Sequence, residues 1–358
     1  MLHGKVGLTK YDESRATPGY TIFWPLGSPT VHLINMRGEV VHEWNMSGPP
    51  GNYAYLLPNG NLLAAVRTKE CVKGLAAKGG HLQEVDWDGN IQWEYIDHWQ
   101  HHDFRRCANG NTVYIGWELL PEEAARRVKG GEAGTEHEDG IYGDFLREIT
   151  PGGETVWEWH AATDQEIEKY PICPLCDRRE FAHANTVFPL PNGDFMMSWR
   201  QNHLLATIDR KTKKFKWEMC DWVLGHQHDV HMLENGHILV FANGCHAPWH
   251  GPNEGSRIFE IDPKDNEIVW QYVGTPPYTF DSSFISGMQR LDSGNTLICE
   301  GRWGRIFEVT PEGEIVWEYV SPYFQKDPPY AGGNYVFRAY RYSADSPEIA
   351  GRLDKDPT

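Results

Sequence analysis

Residues 305–319 read Arg-Ile-Phe-Glu-Val-Thr-Pro-Glu-Gly-Glu-Ile-Val-Trp-Glu-Tyr: an alternating apolar strand, a turn, and a second strand ending in tryptophan, glutamate and tyrosine. Alternation with period two around a Gly-containing turn is how a hairpin with one buried face is written. Related stretches begin at His32, His81, Phe145, Leu204 and Arg257, which places His42, Trp93, Trp157, Trp217, Trp270 and Trp317 at one equivalent position. A second hairpin separates successive copies, with turns at Asn59-Gly60, Asn109-Gly110, Asn192-Gly193, Asn235-Gly236 and Ser293-Gly294. Asn-Gly supplies the positive φ angles that tight hairpin turns require.

Two hairpins per repeat give four strands, the size of a propeller blade. The sequence therefore predicts an all-β protein, a six-bladed β-propeller with four antiparallel strands per blade, as a single domain over residues 1–358. Five blades are expected at about 52–95, 101–159, 181–219, 226–272 and 284–319. The remaining hairpin lacks a partner in sequence. Residues 333–342 and 19–44 read as the strands that complete it, so one blade made from the N- and C-terminal strands closes the ring and removes an exposed sheet edge. Two insertions, 119–144 and 160–180, break the rhythm, and the second carries Cys173-Pro-Leu-Cys176. Long loops in a compact domain serve as lids or binding elements, or else are disordered.

Composition agrees with many short strands: 15 Trp, 16 Tyr and 14 Phe stand beside 36 Gly and 23 Pro. A net charge of −17 argues against nucleic acid as a partner, because a phosphate backbone would be repelled. No stretch approaches the roughly 18 apolar residues of a membrane span, so no membrane partner is expected. The start Met1-Leu2-His3-Gly4-Lys5 shows no secretory signal, and seven scattered cysteines fit reduced thiols, so the expected location is cytoplasmic.

The first strand of each propeller blade lines the channel, so equivalent positions in different blades face one another. Seven residues before the turn Asn or Ser stand Asn52, His102, Asn185, His228 and Ser286; eight residues after it stand Arg67, Trp117, Arg200, Asn243 and Gly301, with Arg302 beside the last. His183 lies two residues before Asn185, on the same face of an extended strand. Imidazoles and guanidinium groups at such positions are the mark of a site for a small anion. Each residue taken alone is equally well read as a strand cap or an ion-pair partner. Trp117, Trp199 and Trp303 are candidate walls for an aromatic ring, or ordinary core tryptophans.

At these residues the chain resembles the arylsulfotransferases that use phenolic sulfate esters as donors. The resemblance runs through the opening Gly19-Tyr-Thr-Ile-Phe-Trp-Pro-Leu-Gly-Ser28 and the Trp-Glu-Tyr strands. It is most specific at Phe181-Ala-His-Ala-Asn-Thr-Val187 with Ser198-Trp-Arg200, and at Gly225-His-Gln-His-Asp-Val230 with the following Leu233–Phe241. It implies a six-bladed propeller and ping-pong transfer through a histidine, with His228 as nucleophile and with His183, Arg200 and His102 around the sulfuryl group. Arg67, Ser286, Asn185, Asn243, Arg302 and Trp117 would contact the substrate, a small anionic aromatic molecule, and no cofactor is implied. The best-known members are exported and carry an added N-terminal β-domain. This sequence shows neither, and reads as a shorter, single-domain branch.

Two other readings stay open from the residues alone. One is a lyase or hydrolase acting on an anionic carbohydrate or small molecule, with or without a metal. The other is a propeller that only binds partners. The Cys173 and Cys176 pair could bind zinc or exchange disulfides, but a second pair at zinc spacing is missing. His226, His228, His231, His246 and His250 could supply ligands, yet no spacing fixes a set, so no metal is assigned.

Overall fold

The computed structural model describes residues 4–249, 251, 254–353 and 357–358. Their strands form six small sheets, antiparallel except for one short pairing in blade 2, and the fold is a six-bladed β-propeller. Blade 1 comprises Pro50–Leu56, Leu62–Arg67, Gly80–Val85 and Ile91–Ile96; blade 2 comprises Gln100–Arg106, Thr112–Leu119, Tyr142–Ile149 and Thr155–His160. Blade 3 comprises Ala184–Pro189, Phe195–Trp199, Leu204–Ile208 and Phe215–Cys220; blade 4 comprises His228–Met232, Ile238–Ala242, Arg257–Asp262 and Glu267–Val273. Blade 5 comprises Gly287–Arg290, Thr296–Glu300, Arg305–Val309 and Ile315–Val320. The closing blade pairs Val336–Tyr342 from one end of the chain with Tyr20–Pro25, Thr30–Ile34 and Val40–Asn45 from the other. Two strands were not anticipated: Gly7–Tyr11 adds a fifth strand to blade 5 by pairing with Ile315–Val320, and Glu180–Phe181 pairs in parallel with Tyr142–Ile149 of blade 2.

The chain divides into two compact units, Lys69–Lys78 with Asp97–Gln271, and Met1–Thr68 with Gly79–Ile96 and Tyr272–Thr358. Each has its own apolar interior. In the first, Trp159 and Trp199 pack with Phe195, Leu204 and Ile208; in the second, Trp44, Leu33, Leu62 and Ala64 form one cluster. Each fully buried side chain of this kind contributes about 1.5–3 kcal/mol relative to exposure. Among the described residues no helix is long and apolar enough to cross a membrane.

The repeated tryptophan has a further duty. Trp157 Nε1 donates to Arg210 O, Trp217 Nε1 to Asn266 Oδ1, and Trp317 Nε1 to Met36 O, at 2.9, 2.9 and 2.8 Å. Each bond runs from the last strand of one blade to a turn of the next. His42, at the equivalent position, does the same with Trp87 O at 2.8 Å. The indole buries its body in the sheet and spends its one donor on the neighbour, which is why the pattern repeats.

The hairpin turns differ from expectation in one respect. Only the glycine adopts positive φ (Gly236, 84°), while the preceding Asn235 does not, and it accepts from His237 N at 2.9 Å through its side chain. Asn59, Asn109 and Asn192 cap their turns in the same way. Asn is therefore chosen here for its carbonyl oxygen more than for its tolerance of left-handed angles.

Candidate functional site

The site residues sit where the first strands break their register. Blade 2 shifts between Tyr114 and Ile115, blade 3 between Ala184 and Thr186, and blade 4 between His228 and His231. Such bulges re-aim side chains and concentrate near functional sites. His102 (φ 50°) is left-handed within its break, and His183 (φ 65°) is left-handed just ahead of its own. A bulky residue there costs of order 1–3 kcal/mol and persists only where its surroundings hold it.

What holds these strands is the residue after each candidate position. Asp103 Oδ2 accepts from Val187 N at 3.0 Å, and Thr186 Oγ1 accepts from Asp229 N at 2.9 Å. Asn185 Nδ2 donates to Gln227 O at 2.7 Å. Gln227 in turn spreads its amide over Ser198 Oγ, Trp199 O and Leu204 O. The first strands of blades 2, 3 and 4 are thus pinned side by side by buried polar groups. Such groups are costly unless satisfied, and here they fix the strand starts.

The imidazoles form a backed series. His101 Nε2 lies 3.2 Å from Asp144 Oδ1, and His101 Nδ1 lies 2.6 Å from His102 Nδ1. The rings of His102 and His183 meet edge to face at 4.5 Å, and His183 Nδ1 lies 3.1 Å from Glu180 Oε1. Separately, His228 Nδ1 lies 2.7 Å from Asn243 Oδ1. Acceptors decide the tautomers. Glu180 and the Asn243 carbonyl can only accept, so His183 and His228 carry hydrogen on Nδ1. The Nδ1 atoms of His101 and His102 share one proton between them. In their neutral forms His183 and His228 bear the lone pair on Nε2.

Trp117 is fully buried, stacked on His101 at 4.1 Å and donating to Glu180 Oε2 at 2.8 Å. It fixes the two histidine backings at once. Burial works against ionisation of Glu180, but the charge and hydrogen bond of His183, with His101 and Trp117, outweigh it and keep the carboxyl below its ordinary range. Trp199 packs on Trp159 and Phe215 in the core, and Trp303 donates to Asp281 O.

Arg200 is half-buried, and its backbone N–H bonds to His183 O at 3.1 Å. Its positive charge is felt at Cys176 and at His226. The stretch from Gly225 to His231 splits three ways. His228 turns to Asn243, His231 packs on Phe188, and His226 turns to Cys176 Sγ at 3.4 Å. A regular strand would put His226 and His228 on one face; left-handed backbone at His226 (φ 60°) ahead of the strand separates them. His250 lies outside the described residues.

Three expected contact residues belong to the other unit. Ser286 Oγ accepts from Gly301 N at 2.9 Å and donates to Ser282 Oγ at 2.8 Å. Arg302 Nη1 donates to Ser283 Oγ at 3.1 Å and its guanidinium lies over Trp303. Arg67 is half-buried, and its positive charge acts on the half-buried Tyr330 hydroxyl. Sequence reasoning missed His101, Asp144 and Glu180. The His101-His102 doublet and a glutamate three residues before His183 were readable; Asp144, two strands away from His101, was not.

Residues 80–322 match the family model described as Arylsulfotransferase (ASST). Among solved structures, a protein of unknown function from Bacteroides caccae is 13% identical with a TM-score of 0.57, over 90% of this chain and 98% of that one. Identity this low shows the fold alone. A virginiamycin B lyase from Staphylococcus aureus, solved with quinupristin, is 11% identical over 88% of each chain at a TM-score of 0.48, and says nothing of this chain's chemistry. No curated protein matches the sequence. Because the family model spans well over half of the chain, the chain belongs to the arylsulfotransferase (ASST) family.

Proposed function

We propose that this protein is an arylsulfotransferase-like transferase that moves a sulfuryl group from an aryl sulfate donor to a phenolic acceptor through His228. The observation that carries this reading is the 2.7 Å contact between His228 Nδ1 and Asn243 Oδ1. A buried amide oxygen holds the ring proton on Nδ1, which makes Nε2 the nucleophilic nitrogen without any prior proton transfer.

In the first step the Nε2 lone pair attacks sulfur and the sulfur–oxygen bond to the aryl group breaks. The phenolate leaves with that electron pair and takes a proton from the His102 and His183 pair, one ring of which enters the step as imidazolium. In the second step the acceptor phenol returns its proton to that pair and its oxygen attacks sulfur. The nitrogen–sulfur bond then breaks, and its electrons go back to Nε2. His183, backed by Glu180, and His102, backed by His101 and Asp144, suit a group that gives and regains one proton. Arg200 is the candidate for offsetting charge on the sulfuryl oxygens, since its planar fork matches them.

The test is to mix the protein with an aryl sulfate, quench, and weigh its peptides. The expected result is one added sulfuryl mass on the peptide containing His228, and no transfer in His228→Ala. Turnover by His228→Ala at the rate of the unaltered protein would overturn the mechanism. Phenol release with no sulfated acceptor would mark a hydrolase instead.

A further inference from the structure

Cys173, Cys176, His226 and His246 come from three separate stretches of sequence and meet in one cluster, the first three buried. Their ligand atoms all lie within 4.8 Å of one another. Cys173 Sγ is 3.2 Å from His246 Nδ1; Cys176 Sγ is 3.4 Å from His226 Nε2 and 3.9 Å from His246 Nδ1. A tetrahedron with zinc–sulfur bonds near 2.3 Å and zinc–nitrogen bonds near 2.05 Å has sulfur–nitrogen edges of roughly 3.5 Å. The three separations bracket that value. We propose that these four side chains bind one zinc ion as a closed, structural site.

The backbone is shaped to bring the donors together. Cys173 N donates to Gln201 O at 2.8 Å and Cys176 N to Cys173 O at 2.9 Å, a turn that folds the two thiols toward each other. The two histidine loops touch through glycine: a Cβ on Gly225 would lie 2.7 Å from Gly244 Cα, so no larger residue allows the approach. His226 and His246 both hold left-handed backbone, with φ of 60° and 61°. Two such conformations on bulky residues are unfavourable, and their common result is to turn both rings onto the thiols.

The donor set fits zinc better than a redox pair. A disulfide-exchanging CxxC has no use for two imidazoles aimed at its sulfurs from other loops, whereas two sulfurs and two nitrogens in a tetrahedron are a structural zinc set. On binding, both thiols release their protons to solvent. The divalent ion then sits with two thiolates and two neutral imidazoles, a net charge of zero that a buried site tolerates. With four protein ligands no position is left for substrate, so the ion works on structure. It would fasten the 160–180 insertion to the turn that ends two residues before His228. This inference stands apart from the sulfuryl-transfer reading, since its readout is metal and not activity.

The experiment is elemental analysis of the purified protein, followed by removal of metal under reducing conditions and titration with cobalt(II). The expected result is one zinc per chain as isolated. Cobalt should give the thiolate charge-transfer and visible bands of a tetrahedral site, saturating at one equivalent and displaced by zinc. Cys176→Ser and His246→Gln should lose the bands; Cys220→Ser, at an exposed thiol outside the cluster, should keep them. Folded, reduced, unaltered protein that gives no such bands would overturn the proposal without recourse to variants. So would stoichiometric zinc retained in a variant lacking both Cys173 and Cys176, or a Cys173–Cys176 disulfide in protein isolated under reducing conditions.

Discussion

In blade 4 the position seven residues before the turn holds His228 and the position eight after it holds Asn243; in blade 5 the same positions hold Ser286 and Gly301. The pair meets in both blades. In blade 4 the meeting is side chain to side chain, at 2.7 Å, and it orients a ring. In blade 5 a hydroxyl accepts from a backbone N–H at 2.9 Å, then donates to Ser282, whose oxygen also accepts from Arg302 N. There the pair braces a tight turn. In these two blades the equivalent positions face each other, and the residues placed in them decide whether the contact orients a ring or braces a turn.

The largest effect is expected where packing rules. A Cβ on Gly301 would lie 2.2 Å from Val336 O, a backbone atom that cannot swing aside. Gly301→Ala should destabilise by about 3 kcal/mol, read as a fall in urea midpoint. A loss under about 0.5 kcal/mol, the range of neutral surface changes, would show that the turn yields easily and that the contrast with blade 4 is overdrawn. Next comes Asn243→Ala. With the acceptor gone, the His228 proton is no longer held on Nδ1, and kcat should fall about 100-fold with KM little changed. Equal kcat would reduce blade 4 to the same structural role as blade 5. Ser286→Ala removes the acceptor of a buried N–H and should cost about 1–2 kcal/mol in stability. Its kcat should stay within twofold; a larger drop would give Ser286 a place among the substrate contacts and erase the distinction.

The sequence carried the blades because every copy repeats the same physical need: alternation for a one-sided sheet, a glycine after a capping side chain, an indole to reach the next blade. Counting from a turn also placed His102 and His228 in first strands, with His183 just ahead of one. Counting fails at the bulges. Asn185 and His183 exchange importance there, since the break between Ala184 and Thr186 leaves His183 as the ring that meets His102, while Asn185 ties down Gln227. Partners from other strands were invisible for another reason. Asp144 reaches His101 across the paired strands of blade 2, two strands away in the sheet, which no local pattern encodes. The same holds for Cys173 and Cys176, whose facing histidines lie 50 and 70 residues away from Cys176.

The last prediction concerns one more equivalent position, the final residue of the second strand: Ala242 in blade 4 and Glu300 in blade 5. Burial pushes the Glu300 carboxyl up to about 7 from an ordinary 4.5, even though Arg305 lies 2.9 Å away and Asp281 N donates to it at 2.7 Å. The native state therefore holds this proton more tightly than the unfolded chain does. The stability it contributes is fully present below about 4.5 and is lost as pH rises through about 7. The slope from one such group is at most about 1.4 kcal/mol per pH unit. Glu300→Gln keeps the shape and removes the titration, so urea unfolding at several pH values between 5 and 8 should show the unaltered protein losing ground to the variant as pH rises. If it gains ground instead, the pairing with Arg305 outweighs burial. Blade 5 would then hold an ordinary ion pair where blade 4 holds an alanine, and the difference between them would lie in charge alone.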